Sequence, residues 1–239
     1  MIPPETPSTG VKLNHPPITL LPLGSHEYHG PHLPMQTDTL IASSVAAAIA
    51  QGIQADSARF PMGVQVFPAI PFSCSHEHAD SVSLLPDTLV AVLDDFAAQA
   101  RGIVAVVNCH GGNHVLENWV LSRNRDRFRH LWFPRPVNWR RACERSGIAS
   151  EWGEDVHAGE IETSLLLHAA PGEVRADRLP EEHVLRDRPL QGISGMTQYT
   201  RDGVLGRPRL GTAAKGEALL KALAALALEE IDLLVRKSS

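Results

Sequence analysis

Twice in this chain a short apolar run stops at a turn and gives way at once to a dense polar cluster. Residues 18–23 (Ile-Thr-Leu-Leu-Pro-Leu) end at Gly24 and are followed by Ser25-His26-Glu27-Tyr28-His29. Residues 103–107 are followed by Asn108-Cys109-His110-Gly111-Gly112-Asn113. Short runs of this kind, without regular polar alternation, suit strands buried on both faces, as in a parallel sheet. The segments between them are helical in pattern. Residues 39–53 are Ala-rich, and residues 86–100 place Leu89, Val90, Leu93 and Phe96 on one side. Further along, residues 64–70 read as a second strand interrupted at Pro68, and a helix runs toward Arg127. Residues 131–137 read as a fourth strand, residues 157–168 as a helix and residues 212–235 as a long closing helix. Strands alternating with helices predict a layered α/β/α domain with a mainly parallel sheet, whose ligands gather at the carboxyl ends of the strands. Both polar clusters fall at those ends.

The whole chain, residues 1–239, reads as one domain, with a Pro-rich extended segment at 1–17 and a polar, turn-rich surface excursion at 171–208. Against 22 Lys and Arg stand 27 Asp and Glu, a net charge of −5, with no basic run interleaved with aromatics. A nucleic-acid footprint is therefore not expected. No apolar run reaches membrane-spanning length and the N-terminus lacks a signal pattern, so a cytoplasmic protein without a membrane partner is expected. Cys74, Cys109 and Cys143 are odd in number and far apart, which fits neither a disulfide framework nor a zinc knuckle. Histidine is abundant at twelve residues, and imidazole is a common ligand of divalent transition metals.

Four clusters carry candidate chemistry. In the first, Glu27 and His29 are two residues apart and share one side of extended backbone, while Gly30, Pro31 and Pro34 make a reversal that can return Asp38 over that side. Carboxylate, imidazole and carboxylate offer mixed O/N ligation suited to Zn, Mn or Fe, although a polar surface loop is the plain alternative. In the second, the glycines beside His110 permit close approach of the backbone to an ion or substrate, and a structural histidine is the alternative. In the third, Asp155-Val-His157-Ala-Gly-Glu160-Ile-Glu162, residues three apart place His157 and Glu160 on one helical face and turn Glu162 elsewhere. The alternative makes Asp155 a cap and both glutamates ordinary first-turn acids. The fourth, His76-Glu77-His78, reads as a substrate-facing loop, because adjacent residues on regular backbone do not all face one ion. Trp152 and Trp139 are candidates for flanking a planar substrate, core packing being the alternative.

Taken together, Glu27-x-His29-Gly-Pro-His-Leu-Pro with Asp38, Asn108-x-His110-Gly-Gly-Asn113 and His157-Ala-Gly-Glu160-x-Glu-Thr-Ser strongly resemble the creatininase (creatinine amidohydrolase) family, which includes deformylases and the mycofactocin maturation peptidase. The likeness continues to the stretch at residues 203–216, so it covers nearly the whole chain. It implies two divalent ions per subunit, with zinc first and manganese or iron as alternatives, and a homohexamer. By that pattern Glu27 and His110 hold one ion, His29 and Glu160 the other, Asp38 bridges them and His157 is the acid/base. In creatininase the glutamate of the second ion stands where this chain has Gly112, which has no side chain to ligate with. That departure moves the role to Glu160 and points to the His-Gly-Gly-Asn branch. A second departure is Ala79-Asp-Ser-Val-Ser83, where many relatives carry Phe-Pro-Gly-Thr. The implied activity is hydrolysis of a C–N amide bond other than an ordinary peptide bond, in a small-molecule amide, cyclic amide or formamide. Alternatives are a peptidase acting on a modified peptide of the mycofactocin-maturation type and a non-catalytic metal-stabilised oligomer.

Overall fold

A computed structural model describes residues 17–238. All but Pro17 of the extended segment expected at 1–17 lies outside them. Four parallel strands form one sheet in the order β2-β1-β3-β4, with β1 Ile18–Leu23, β2 Val64–Val66, β3 Val104–Asn108 and β4 His130–Phe133. Helices α1 (Thr37–Ala55), α2 (Pro86–Gln99), α3 (Glu117–Arg123), α4 (Pro136–Ser146), α5 (Glu160–Ala169), the single turn α6 (Gln191–Ser194) and α7 (Ala213–Ser238) complete the regular structure. The layered α/β architecture expected from the sequence is what forms.

Period-two geometry explains the layers. Leu20 of β1 and Ala105 and Val107 of β3 pack with Ile41, Val45 and Ile49 of α1 and with Leu165 and Leu223 of α5 and α7. Their neighbours Leu21, Leu23 and Val106 pack with Leu89 and Leu93 of α2 and with Trp119 of α3. Every residue of β1 and β3 is buried, as their lack of polar alternation requires.

Three boundaries differ from expectation for local reasons. β2 stops at Val66; beyond it Ile70 makes an isolated bridge to Leu23, past the Pro68 that cannot donate to a ladder. β4 ends at Phe133, and Pro136 opens α4 at a position where the missing N–H costs nothing. α5 begins at Glu160 and not at 157, because His157 pairs with Leu205 in an antiparallel bridge, Ala158 has φ 52° and Gly159 caps the helix. The excursion at 171–208 likewise returns inward, burying Val204 and Leu205 completely. Among the described residues no helix is long and apolar enough to cross a membrane.

α7 crosses α5 at very short range. A Cβ on Gly216 would collide with the Ser164 carbonyl group, while Thr212 N donates to Ser164 Oγ at 3.1 Å. Replacing a helical glycine by alanine ordinarily stabilises by about 1 kcal/mol. Here Gly216→Ala should do the reverse, costing about 1–3 kcal/mol through overpacking. Thermal unfolding checks this: the variant should melt several degrees below the parent chain.

Candidate metal centre

The loop leaving β1 carries Glu27 and His29 into the interior, and both side chains are fully buried. Glu27 stays extended, its backbone bridging Ser81, so His29 two residues on projects to the same side. Gly30 supplies the reversal with φ 72°, and α1 then starts so that Asp38, in its first turn, faces back over Glu27 and His29. Gly24 lets β1 run against the backbone of Thr39, whose hydroxyl donates to Ser25 O at 3.0 Å. The N-terminal end of α1 also favours the Asp38 charge.

Asp38 sits between two imidazoles. Its Oδ1 is 3.2 Å from His29 Nε2 and its Oδ2 is 2.9 Å from His110 Nδ1, while Ser25 Oγ donates to Oδ2 at 2.7 Å. Glu27 Oε1 lies 3.2 Å from His110 Nδ1, 3.3 Å from His157 Nε2 and 3.4 Å from His78 Nε2. Three donor groupings result: Glu27 with Asp38 and His110; His29 with Asp38 and Glu162; and Glu27 with His78 and His157. The rings of His29, His157 and His78 stack in series, with centroids 4.2 and 4.3 Å apart.

The outer nitrogens fix the tautomers. His29 Nδ1 donates to Glu27 O at 3.0 Å, His110 Nε2 to Cys74 O at 2.9 Å and His157 Nδ1 to Gly203 O at 2.7 Å. In the neutral ring each arrangement leaves a lone pair on the inward nitrogen, the form in which imidazole ligates a metal. Among the described residues Glu27 Oε2 is buried with no hydrogen-bond partner, which is costly for a carboxylate unless something else meets it. Buried carboxylates, inward lone pairs and an orphaned oxygen fit divalent cations of the Zn, Mn or Fe type.

Without cations, the charges compensate one another. Burial pushes the Glu27 carboxyl up, but His110, His157 and His29 outweigh it and hold it well below the usual range. Burial pulls His29 down, yet Asp38, Glu162 and Glu27 lift it to about 10, and His110 is likewise raised. His78 is lowered to about 4 by burial and then by His157.

The two glutamates of α5 exchange the positions expected for them. Because the helix begins only at Glu160, His157 and Glu160 do not share a helical face. Glu160 points away from the centre, accepting from Ala149 N at 2.9 Å, Ser150 N at 2.8 Å and Lys215 Nζ at 2.5 Å. Glu162 turns inward, its Oε2 3.8 Å from His29 Nε2 while accepting from Ala158 N at 2.6 Å. The Ala158-Gly159 pair was the available signal, since small residues directly after His157 favour a break ahead of the helix.

Of the loop expected to face substrate, His76 is exposed, His78 stacks on His157 and Glu77 Oε1 lies 3.2 Å from His110 Nε2. Trp152, also expected to meet substrate, is 54% exposed at the rim of a cleft of about 160 Å³ that reaches His110 and Glu162 past Trp139 and Asp155. Burial raises the Asp155 carboxyl to about 7. A second cleft of about 270 Å³ adjoins the first at Trp152 and Asp155 and runs along Arg140, Glu144 and Ile148.

A family model described as creatininase, creatinine amidohydrolase, matches residues 6–231. The mycofactocin precursor peptide peptidase of Mycobacterium tuberculosis (strain CDC 1551 / Oshkosh) is 34% identical over 224 residues, covering 87% of this chain and 81% of that protein. The 2-amino-5-formylamino-6-ribosylaminopyrimidin-4(3H)-one 5'-monophosphate deformylase of Methanobrevibacter ruminantium is 41% identical over 100 residues, covering 40% of each chain. A solved creatininase shares the fold with TM-score 0.72 at 20% identity, covering 91% of this chain and 90% of its own. With the site's residues in place and the match running through almost the whole sequence, this chain belongs to the creatininase family of hydrolases.

Proposed function

We propose that the chain hydrolyses a C–N amide bond with two divalent ions, one held by Glu27, Asp38 and His110 and the other by His29, Asp38 and Glu162. The observation that carries this reading is Asp38, whose two oxygens address different imidazoles, as a bridging carboxylate must. When bound, such ions lower the pKa of water toward neutrality and polarise an amide carbonyl. Zinc and manganese are the metals favoured, since solved creatininases include a Zn–Zn form of a variant and a manganese form. A homohexamer is the accompanying expectation from the family pattern, and a cytoplasmic location the one from the sequence.

His157 is the proposed proton carrier. Its Nδ1 is occupied by the Gly203 carbonyl, so Nε2, next to Glu27, is the atom that accepts a proton and returns it to the departing nitrogen. Trp139 and Trp152 flank the approach, and Glu160 braces residues 149–150 against α7 through Lys215.

For the substrate, a peptide amide is supported ahead of the small amide expected from the sequence. The peptidase relative matches along most of both chains, whereas the deformylase likeness covers 40% of each. The two adjoining clefts also give room for a chain on either side of Trp152. Turnover of the metal-loaded protein on short modified peptides, with formamides and cyclic amides in parallel, tests this. Activity confined to the small amides would restore the original order.

Four variants test the ligand set by elemental analysis. Asp38→Asn should deplete both ions and abolish turnover, and undiminished metal would sink the bridge. Glu162→Gln should lose one ion with the fold intact, whereas Glu160→Gln should keep both but melt earlier, because a buried charge-assisted contact is weakened. The opposite pattern would return the role to Glu160. His157→Ala should retain both ions while losing roughly 10²–10⁴ in rate, and loss of metal would make it a ligand instead.

A further inference from the structure

We propose that Glu77 is a positioning residue that sets a carboxylate against the outer nitrogen of His110, in space that the glycine at 112 leaves open. This rests on the metal-centre reading above and adds an element that the ligand set does not contain. His110 Nε2 donates to Cys74 O at 2.9 Å and has the Glu77 carboxylate beside it, with Oε1 at 3.2 Å. The carbonyl alone fixes the tautomer. The carboxylate adds charge, which raises the basicity of the opposite nitrogen, Nδ1, that faces Asp38 and Glu27.

The loop that brings Glu77 there is fastened on several sides. Ser73 Oγ donates to Gly24 O at 2.6 Å, and Cys74 N donates to Asn113 Oδ1 at 3.1 Å. Met196 N donates to Glu77 O at 2.8 Å, and Gly195, with φ 70°, passes so close to the Glu77 backbone that a Cβ would collide with it. Gly112 closes the arrangement from the other side. A Cβ there would lie 2.6 Å from His110 Nε2 and would also run into Glu77 Oε1 and the Cys74 carbonyl oxygen. The Cys74 carbonyl is backbone and bars a side chain at 112 whatever Glu77 does, and the space so left open lets the carboxylate lie against His110.

Calorimetric titration of the ion-free full chain with Mn²⁺ tests the role through affinity and does not depend on turnover. Wild type should take up two ions. Glu77→Gln should weaken one of them by roughly 10–100-fold and leave the other unchanged. Gly112→Ala should weaken the same ion by a separate route, because its Cβ would meet the Cys74 carbonyl and His110 itself. Glu77→Gln alters no volume and stays readable should Gly112→Ala fail to fold. Two ions bound equally by wild type and Glu77→Gln would overturn the role of Glu77 alone, including where the variant only raises KM as a substrate contact would. Fewer than two ions on wild type would overturn the metal centre itself.

Discussion

The geometry of the centre depends on one buried carboxylate lying between two imidazoles that arrive from different strands. His29 comes from the loop after β1 and His110 from the loop after β3, and these strands are hydrogen-bonded neighbours, so their carboxyl ends lie side by side. Asp38 reaches both because α1 starts directly after a tight turn and presents its first residues to the same sheet edge. The parallel sheet therefore does more than supply a core. It brings two turns into register, and the helix end contributes a partial positive charge where the carboxylates gather.

Charge crowding follows from that convergence. Glu27, Asp38 and Glu162 surround His29 closely enough to lift its imidazole to about 10, against a burial effect of opposite sign. In the absence of cations, protons on imidazoles do the compensating. Divalent ions and protons would compete for the same inward nitrogens, so uptake of one releases the other. Backbone carbonyls on the outer nitrogens ensure that the competition takes place on the inward side.

How much was legible in the sequence depended on how local the determining contacts were. β1 and β3 stood out because both faces are buried, and Glu27, His29, Asp38 and His110 follow them within a few residues. Glu162 did not stand out. Its inward turn, in place of Glu160, depends on the bridge between His157 and Leu205, which keeps His157 extended and delays the helix; Ala158-Gly159 hints at the break, but the pairing partner lies far along the chain. Lys215, which occupies Glu160, comes from α7. His78 was set aside on the premise of regular backbone, but a turn closed by His78 N and Ser75 O lets His78 and Glu77 reach different sides of the centre.

The return of the excursion at residues 203–206 holds the His157 segment through backbone while Val204 and Leu205 bury their side chains. Leu205 pairs with His157, Gly206 pairs with His183, and Gly203 presents its carbonyl to the His157 ring. None of these depends on which side chains lie between His183 and Tyr199. Sequence change on the exposed part of that interval therefore leaves the backbone contacts with His157 in place, whereas Gly195 and Met196 are tied to Glu77.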